Sequence, residues 1–343
     1  MAERATWDDP RVPLDGGSEI VRRSAIVGAI VLLTLCLPAP AGAKTIVRVG
    51  FYAATIQGLD QQDSSYYVDG FVWMRWRGDA DPSATFEFTN NIERWGLTQT
   101  AVYEKPKQLA NGERVQQFRV QGRYFRSLDL SDYPLDRQTL SVVIEDTTSA
   151  EDELVYVADE RQSGLDRAAR IPGWRVTGHG MSIGHHTYST DFGEPGTSRA
   201  ARTYSAARFD VSIERPRTFF LWKLMLPLLI VMILAGSVLF IHPTLTEVRL
   251  AAPATALLSL VFLQQSYSST LPEIGSLVLL DKIYALAYAL VIVLMLTIIV
   301  TSYWVRGDME ANAGRAARLD RRVALGAAVV FALGTVLFVT ASV

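Results

Sequence analysis

The sequence predicts a fold in two parts, an all-β, immunoglobulin-like β-sandwich followed by a four-helix transmembrane bundle. Three observations predict it. Residues 44–215 are built of short aromatic and β-branched runs separated by Gly, Pro, Asp and Asn clusters, the pattern of many short strands. No helical period interrupts them, which favours a sandwich over an α/β architecture. After Pro216 the chain changes to long apolar stretches, each about the length of a bilayer-crossing helix.

Composition excludes some functions. The 343 residues suffice for two domains, and 49% hydrophobic with 20% charged residues fits a chain that is part soluble, part membrane. A net charge of -2 offers no basic field, so no nucleic-acid partner is expected. The single cysteine, Cys36, lies in a segment read as a signal peptide, so the mature chain is expected to hold no disulfide.

Residues 1–43 are that segment. Arg22 and Arg23 precede the apolar run 25–37, and Ala41-Gly42-Ala43 offers a small-residue cleavage site. Strands are expected at 46–52, 67–76, 85–89, 114–124, 138–145, 174–183 and 202–214, with exposed loops at 105–113 and 187–199. Spans are expected at 219–241, 247–270, 283–304 and 323–343. The polar linker 306–322 carries Arg306, Arg315, Arg318, Arg321 and Arg322, so the positive-inside rule puts it in the cytoplasm. The β domain and the carboxyl terminus then lie outside, the orientation that a signal peptide also gives.

The second span is not uniformly apolar. At steps of three and four it carries Glu247, Ala251, Thr255, Leu258, Phe262, Gln265 and Ser269 on one helix face. A partly polar face is kept from lipid, either packed on protein or turned to water. Pro253 interrupts the helix interior and removes one backbone hydrogen bond.

Enzyme signatures are absent: no G-x-S-x-G, P-loop, H-E-x-x-H or cysteine pair occurs. No enzymatic activity, cofactor or metal is therefore expected. His179, His185 and His186 cluster, yet they are read as residues of a solvated loop.

The stretch Ser127–Gln138, SLDLSDYPLDRQ, contains an aromatic-Pro-x-Asp-x-Gln turn between strands and upstream of four spans. It resembles the signature loop of the pentameric ligand-gated ion channels, in the form lacking the bracketing cysteines, as in prokaryotic members of the Cys-loop receptor superfamily. Tyr67-Val68-Asp69-Gly70-Phe71 with Trp76, then Asn91-Ile92-Glu93-Arg94-Trp95, resemble the family's strands. Trp222 with Leu226-Pro227, and Leu271-Pro272-Glu273, resemble its first span and its second-to-third connection.

The resemblance implies a homopentamer in a bacterial inner membrane, with a periplasmic ligand-binding domain and second helices lining a central pore. The seven striped residues become pore-lining. Glu247 becomes a selectivity filter that favours monovalent cations, and Leu258 with Phe262 a hydrophobic gate. The agonist, amine-like or protons, is expected between subunits, at Glu145, Asp146, Tyr188 and Tyr204 on one face and Phe71 and Trp73 on the other. Two departures weaken that site: Thr147 stands where an aromatic is frequent, and the segment after Trp95 lacks a W-x-P sequence. A gating interface is expected from Pro134, Asp136, Arg215, Arg217, Pro272 and Glu273, with Asp136 paired to Arg215 or Arg217. The competing readings are a non-conducting, membrane-anchored ligand receptor and an envelope enzyme tethered by the spans.

Overall fold

The computed structural model describes residues 44–190, 202–273, 275–307 and 309–342. The expected signal peptide and most of the 187–199 loop lie outside the described residues. The strands are β1 (Thr45–Asp60), β2 (Ser65–Trp76), β3 (Phe86–Phe88), β4 (Thr98–Ala101), β5 (Lys107–Gln108), β6 (Arg114–Phe125), β7 (Arg137–Asp146), β8 (Leu154–Ala158), β9 (Gly164–Leu165), β10 (Arg175–Tyr188) and β11 (Arg202–Glu214). They form two sheets. One runs β4-β6-β2-β1-β8, with β5 added on β6 and β9 on β1; the other runs β10-β11-β7-β3. Both β8 and β9 pair parallel to β1, so the first sheet is mixed.

Period-two alternation sets what faces inward. Along β2, Tyr66, Val68, Val72, Met74 and Trp76 are buried, while Tyr67, Asp69, Phe71, Trp73 and Arg75 point to the outer face. The inward residues meet Leu140, Val142 and Ile144 of β7 and Phe209, Val211 and Ile213 of β11 in one apolar core. The Tyr66 hydroxyl is spent inside it, donating to the Ser141 carbonyl at 2.6 Å. Gly50 faces Trp73 across the β1–β2 register, and the indole lies where a Cβ would stand. Glycine thus lets Trp73 lie flat on the sheet.

Four helices follow that are long and apolar enough to cross a membrane: α1 (Phe219–Phe240), α2 (Thr246–Ser268), α3 (Leu279–Gly307) and α4 (Met309–Ser342). The chain is thus organised as a multi-pass membrane protein. Two boundaries differ from the sequence reading. The third helix starts earlier, at Leu279, because Asp281 sits in its first turn and its Oδ2 accepts from the Val278 N–H, as a cap does. The polar linker is helical, since arginine and alanine are good helix formers and need no apolar face. The histidines also move: His179, His185 and His186 lie on strand β10, not in a loop. Alternation there is masked by glycines at 178, 180 and 184, which makes the stretch read as loop in sequence.

Sandwich and helices belong to one compact unit, 44–343. Leu130 and Tyr133, from the loop before β7, are buried in the helical core beside Tyr267, Leu279, Leu280 and Tyr284.

Candidate functional site: the polar face of the second helix and the domain junction

Helix α2 has two unlike faces. Arg249, Pro253, Ala256, Leu260 and Tyr267 are buried against the bundle. Glu247, Ala251, Thr255, Leu258, Phe262, Gln265 and Ser269 are all exposed. Among the described residues no other helix covers that stripe, and two large apolar side chains stand in it, Leu258 at 56% and Phe262 at 64% exposure. The Thr255 hydroxyl is turned back onto the Ala251 carbonyl, 2.9 Å away. Pro253 is accommodated within a continuous helix, on the bundle side.

Arg249 does not pair with Glu247. It is fully buried and donates to Asp320 of α4 at 2.7 Å, with Thr301 of α3 at 3.4 Å. Glu247 stands exposed, with no ion pair among the described residues. This three-helix tie was not read from the sequence. The available signal was an isolated Asp320 within an arginine-rich stretch.

At the other end of α2 the loop of residues 127–138 docks onto the helices. Gln138 closes the loop, its Nε2 donating to the Asp129 carbonyl and to Asp136 Oδ2, and its Oε1 accepting from the Asp129 N–H. The Tyr133–Pro134 peptide is cis. The backbone N–H groups of Leu279 and Leu280 donate to the Ser131 and Tyr133 carbonyls at 3.0 and 3.3 Å. From the β1–β2 turn, Gln62 donates to the Ser269 carbonyl at 2.6 Å.

Asp136 takes Arg215 rather than Arg217. The guanidinium Nε lies 2.9 Å from Asp136 Oδ1, with side chains 5% and 1% exposed, so this is a buried pair and not a surface one. The rings of Trp174, Tyr133 and Phe219 surround the same guanidinium, at 4.2, 4.9 and 5.4 Å. Burial pushes the Tyr133 hydroxyl pKa up, against the opposing pull of the Arg215 charge. Arg217 is exposed, as is Glu273, and Pro272 is half-buried. Tyr133 stacks on Tyr267, whose hydroxyl donates to Asp281. Asp281 and the tyrosines 267 and 284 are further members of this junction that sequence reasoning missed.

The proposed ligand residues fall on both sheets. Glu145 is nearly buried and accepts from the Tyr188 hydroxyl at 2.9 Å, while His186 Nδ1 lies 2.8 Å from its other oxygen. Tyr204 packs edge-on to Tyr188 at 5.6 Å. Burial first, then the hydrogen bond to Glu145, raises the Tyr188 hydroxyl pKa. Asp146 points elsewhere, accepting from Thr85, Thr148 and Ser149 to shape a turn. Phe71 and Trp73 lie on the outer face of the first sheet, in an open concavity with Arg48, Arg75 and Arg161. Asp159 joins that concavity, bonded to the Trp73 indole N–H and to Arg75. Within one chain the two groups are on different sheets, and the concavity at Phe71 and Trp73 is not lined by Glu145, Tyr188 or Tyr204.

No family model matches the chain, and no curated protein is significantly similar to it. The layout of a β-sandwich followed by four apolar helices agrees with that of the pentameric ligand-gated channels. Among the described residues no three His, Cys, Asp or Glu side chains gather as a metal site.

Proposed function

We propose that the chain is the subunit of a homopentameric, cation-selective, ligand-gated channel of a bacterial inner membrane, its β-sandwich in the periplasm. The single observation that carries this reading is the exposed stripe of α2. A membrane-crossing helix leaves Glu247, Thr255, Gln265 and Ser269 uncovered by its own chain. The Thr255 hydroxyl is bonded within its own helix, but a carboxylate and an amide in that position, Glu247 and Gln265, are costly against lipid and are satisfied by water. Copies of the chain arranged in a closed ring give each stripe a shared aqueous lumen.

In that arrangement Glu247 forms a carboxylate ring at one mouth, which concentrates cations. Leu258 and Phe262 form an apolar constriction that blocks ions by dewetting. The ligand, a small amine or protons, acts at Glu145, His186, Tyr188 and Tyr204 of one subunit against Phe71 and Trp73 of the next. It opens the pore only in so far as it binds the open state better than the closed one. The loop 127–138, seated on α3 and beside Tyr267, is the mechanical link between the two parts.

The test is current through purified protein in planar bilayers under asymmetric NaCl, with pH steps and a panel of primary amines. The expected result is a reversal potential near the cation equilibrium value, moved toward zero by Glu247→Ala. Leu258→Ser is expected to leak without ligand. Anion-selective current would remove the role of Glu247, and a silent Leu258→Ser variant of pentameric protein would turn the reading to a non-conducting receptor.

A further inference from the structure

Helix α4 carries a second unlike pair of faces. Ala316, Asp320, Ala324 and Phe331 are buried against the bundle. On the opposite side Arg315, Arg322, Val329 and Val336 recur at steps of seven, and all four are exposed. Arg318 and Leu325 stand beside them at the same step, also exposed. Residues seven apart on an α-helix lie nearly in one row. So one continuous face changes from guanidinium to hydrocarbon along its length. Leu325, Val329, Leu333, Val336 and Leu337 make its apolar part, at 55–65% exposure.

The change occurs at a level that other residues mark as a membrane surface. Tyr303, 78% exposed, and Trp304 stand at the end of α3, where aromatic residues favour the boundary between headgroups and hydrocarbon. Arg315 lies over the Trp304 ring at 4.7 Å, and Asn312 donates to the Trp304 carbonyl. Arg318 and Arg322 are one and two turns further along α4. Long arginine stems can reach back along the apolar face to that boundary.

Among the described residues no carboxylate compensates the charge of this face. Glu310 and Asp320 are the only acids of α4, and Asp320 is turned inward onto Arg249. Arg318, Arg321 and Arg322 make no ion pair among the described residues. Two or three guanidiniums above a row of exposed apolar side chains complement a molecule with a phosphate head and acyl tails.

We propose that this face binds an anionic phospholipid, its headgroup phosphate held by Arg318 and Arg322 and its acyl chains along Leu325, Val329 and Val336. Guanidinium is suited to phosphate because its fork of N–H donors matches two oxygens at once. The site is independent of whether the chain conducts ions.

The test uses the full-length protein in vesicles of phosphatidylcholine in which a rising fraction is replaced by brominated phosphatidylglycerol or, in parallel, by brominated phosphatidylcholine. Trp222→Phe removes the other indole within the helices, so quenching in the membrane reports Trp304. Wild-type arginines are expected to give steeper quenching by brominated phosphatidylglycerol. Arg318→Gln with Arg322→Gln is expected to lower that preference on the order of thirtyfold, at roughly fivefold for each basic residue lost. Arg318→Lys with Arg322→Lys is expected to retain part of it, because the charge stays while the two-oxygen fork is lost. An unchanged melting temperature in each variant shows that the bundle is intact. Equal quenching by the two lipids in wild type would overturn the proposal, as would a preference that survives the glutamine changes. So would efficient disulfide cross-linking between copies carrying Arg322→Cys, which would place protein on this face.

Discussion

The two ends of the helical bundle each hold a buried arginine–aspartate pair, and they are built differently. At the end that meets the sandwich, Arg215 sits on Asp136 among three aromatic rings, and Gln138 donates to the other carboxylate oxygen. At the far end Arg249 and Asp320 are still more deeply buried, yet Arg249 Nε and Asp320 Oδ1 have no partner among the described residues. In the first pair both Asp136 oxygens have donors, Arg215 Nη2 has no hydrogen-bond partner among the described residues but lies among the rings, and the pair joins a β-strand end to a loop. The second has no aromatic surround, leaves one Asp320 oxygen without a donor, and joins three helices behind Glu247. A buried charge without its counter-ion is far more costly than a surface one, so the more deeply buried pair, which has no aromatic rings around its guanidinium, is the more sensitive of the two.

The largest effect is therefore expected from Asp320→Ala. It leaves a fully buried guanidinium with only Thr301 as acceptor and should cost about 3–5 kcal/mol. Thermal unfolding of the purified protein reads it, and a loss under about 1 kcal/mol would show that water already neutralises the pair. Asp136→Asn keeps the shape and a hydrogen-bond acceptor for Arg215 Nε, and the aromatic rings remain. About 2–3 kcal/mol is expected, measured the same way. If the two variants lose equally, the aromatic surround of Arg215 contributes nothing.

Patterning within the sequence made much of this molecule legible. The alternation in 67–76 placed β2 and its two faces, and the steps of three and four in 247–269 isolated the α2 face that the structure leaves exposed. Both signals lie within a few residues of one another, because side-chain direction repeats every two or 3.6 residues. The short β4, β8 and β9 had no such run to declare them. They exist through their partners, as β8 does through β1. The arginine-rich start of α4 read as linker because the buried residues described there, Ala316 and Asp320, are small or charged.

A smaller change sharpens the contrast at the junction end. Tyr267→Phe removes the hydroxyl that donates to Asp281 but keeps the stack on Tyr133. About 1–2 kcal/mol is expected, because Asp281 retains the Val278 N–H as a donor. Hydrogen exchange at Leu279 and Leu280 should accelerate if this bond helps to seat the 127–138 loop.

The smallest effect is set by an outer-sheet pair that serves as a baseline for both buried ones. Asp69 accepts from Arg119 and Gln121, and the Arg119 hydrogen bond, foremost, holds its carboxyl below the usual carboxylate range. A carboxylate whose folded pKa is depressed contributes stability above its unfolded value, about 3.9, and loses it as pH falls through the folded value. Asp69→Asn should therefore cost under about 1 kcal/mol at neutral pH, and the stability difference from wild type should shrink below about pH 4. A difference that grows with acid would reverse the sign assigned here.

The sequence by itself determined the longer strands, the four spans and which side of α2 is polar, because those properties repeat locally along the chain. Partner choice was decided only by the tertiary structure. Asp136 and Arg215 are 79 residues apart, and Arg249 and Asp320 are 71 apart. In sequence Arg217 was as good a partner for Asp136, and Glu247 as good a partner for Arg249. Periodicity states which way a side chain points, but only the packed chain brings another segment to meet it. Burial then makes the choice exclusive, since a charge removed from water must take whichever counter-charge the fold delivers.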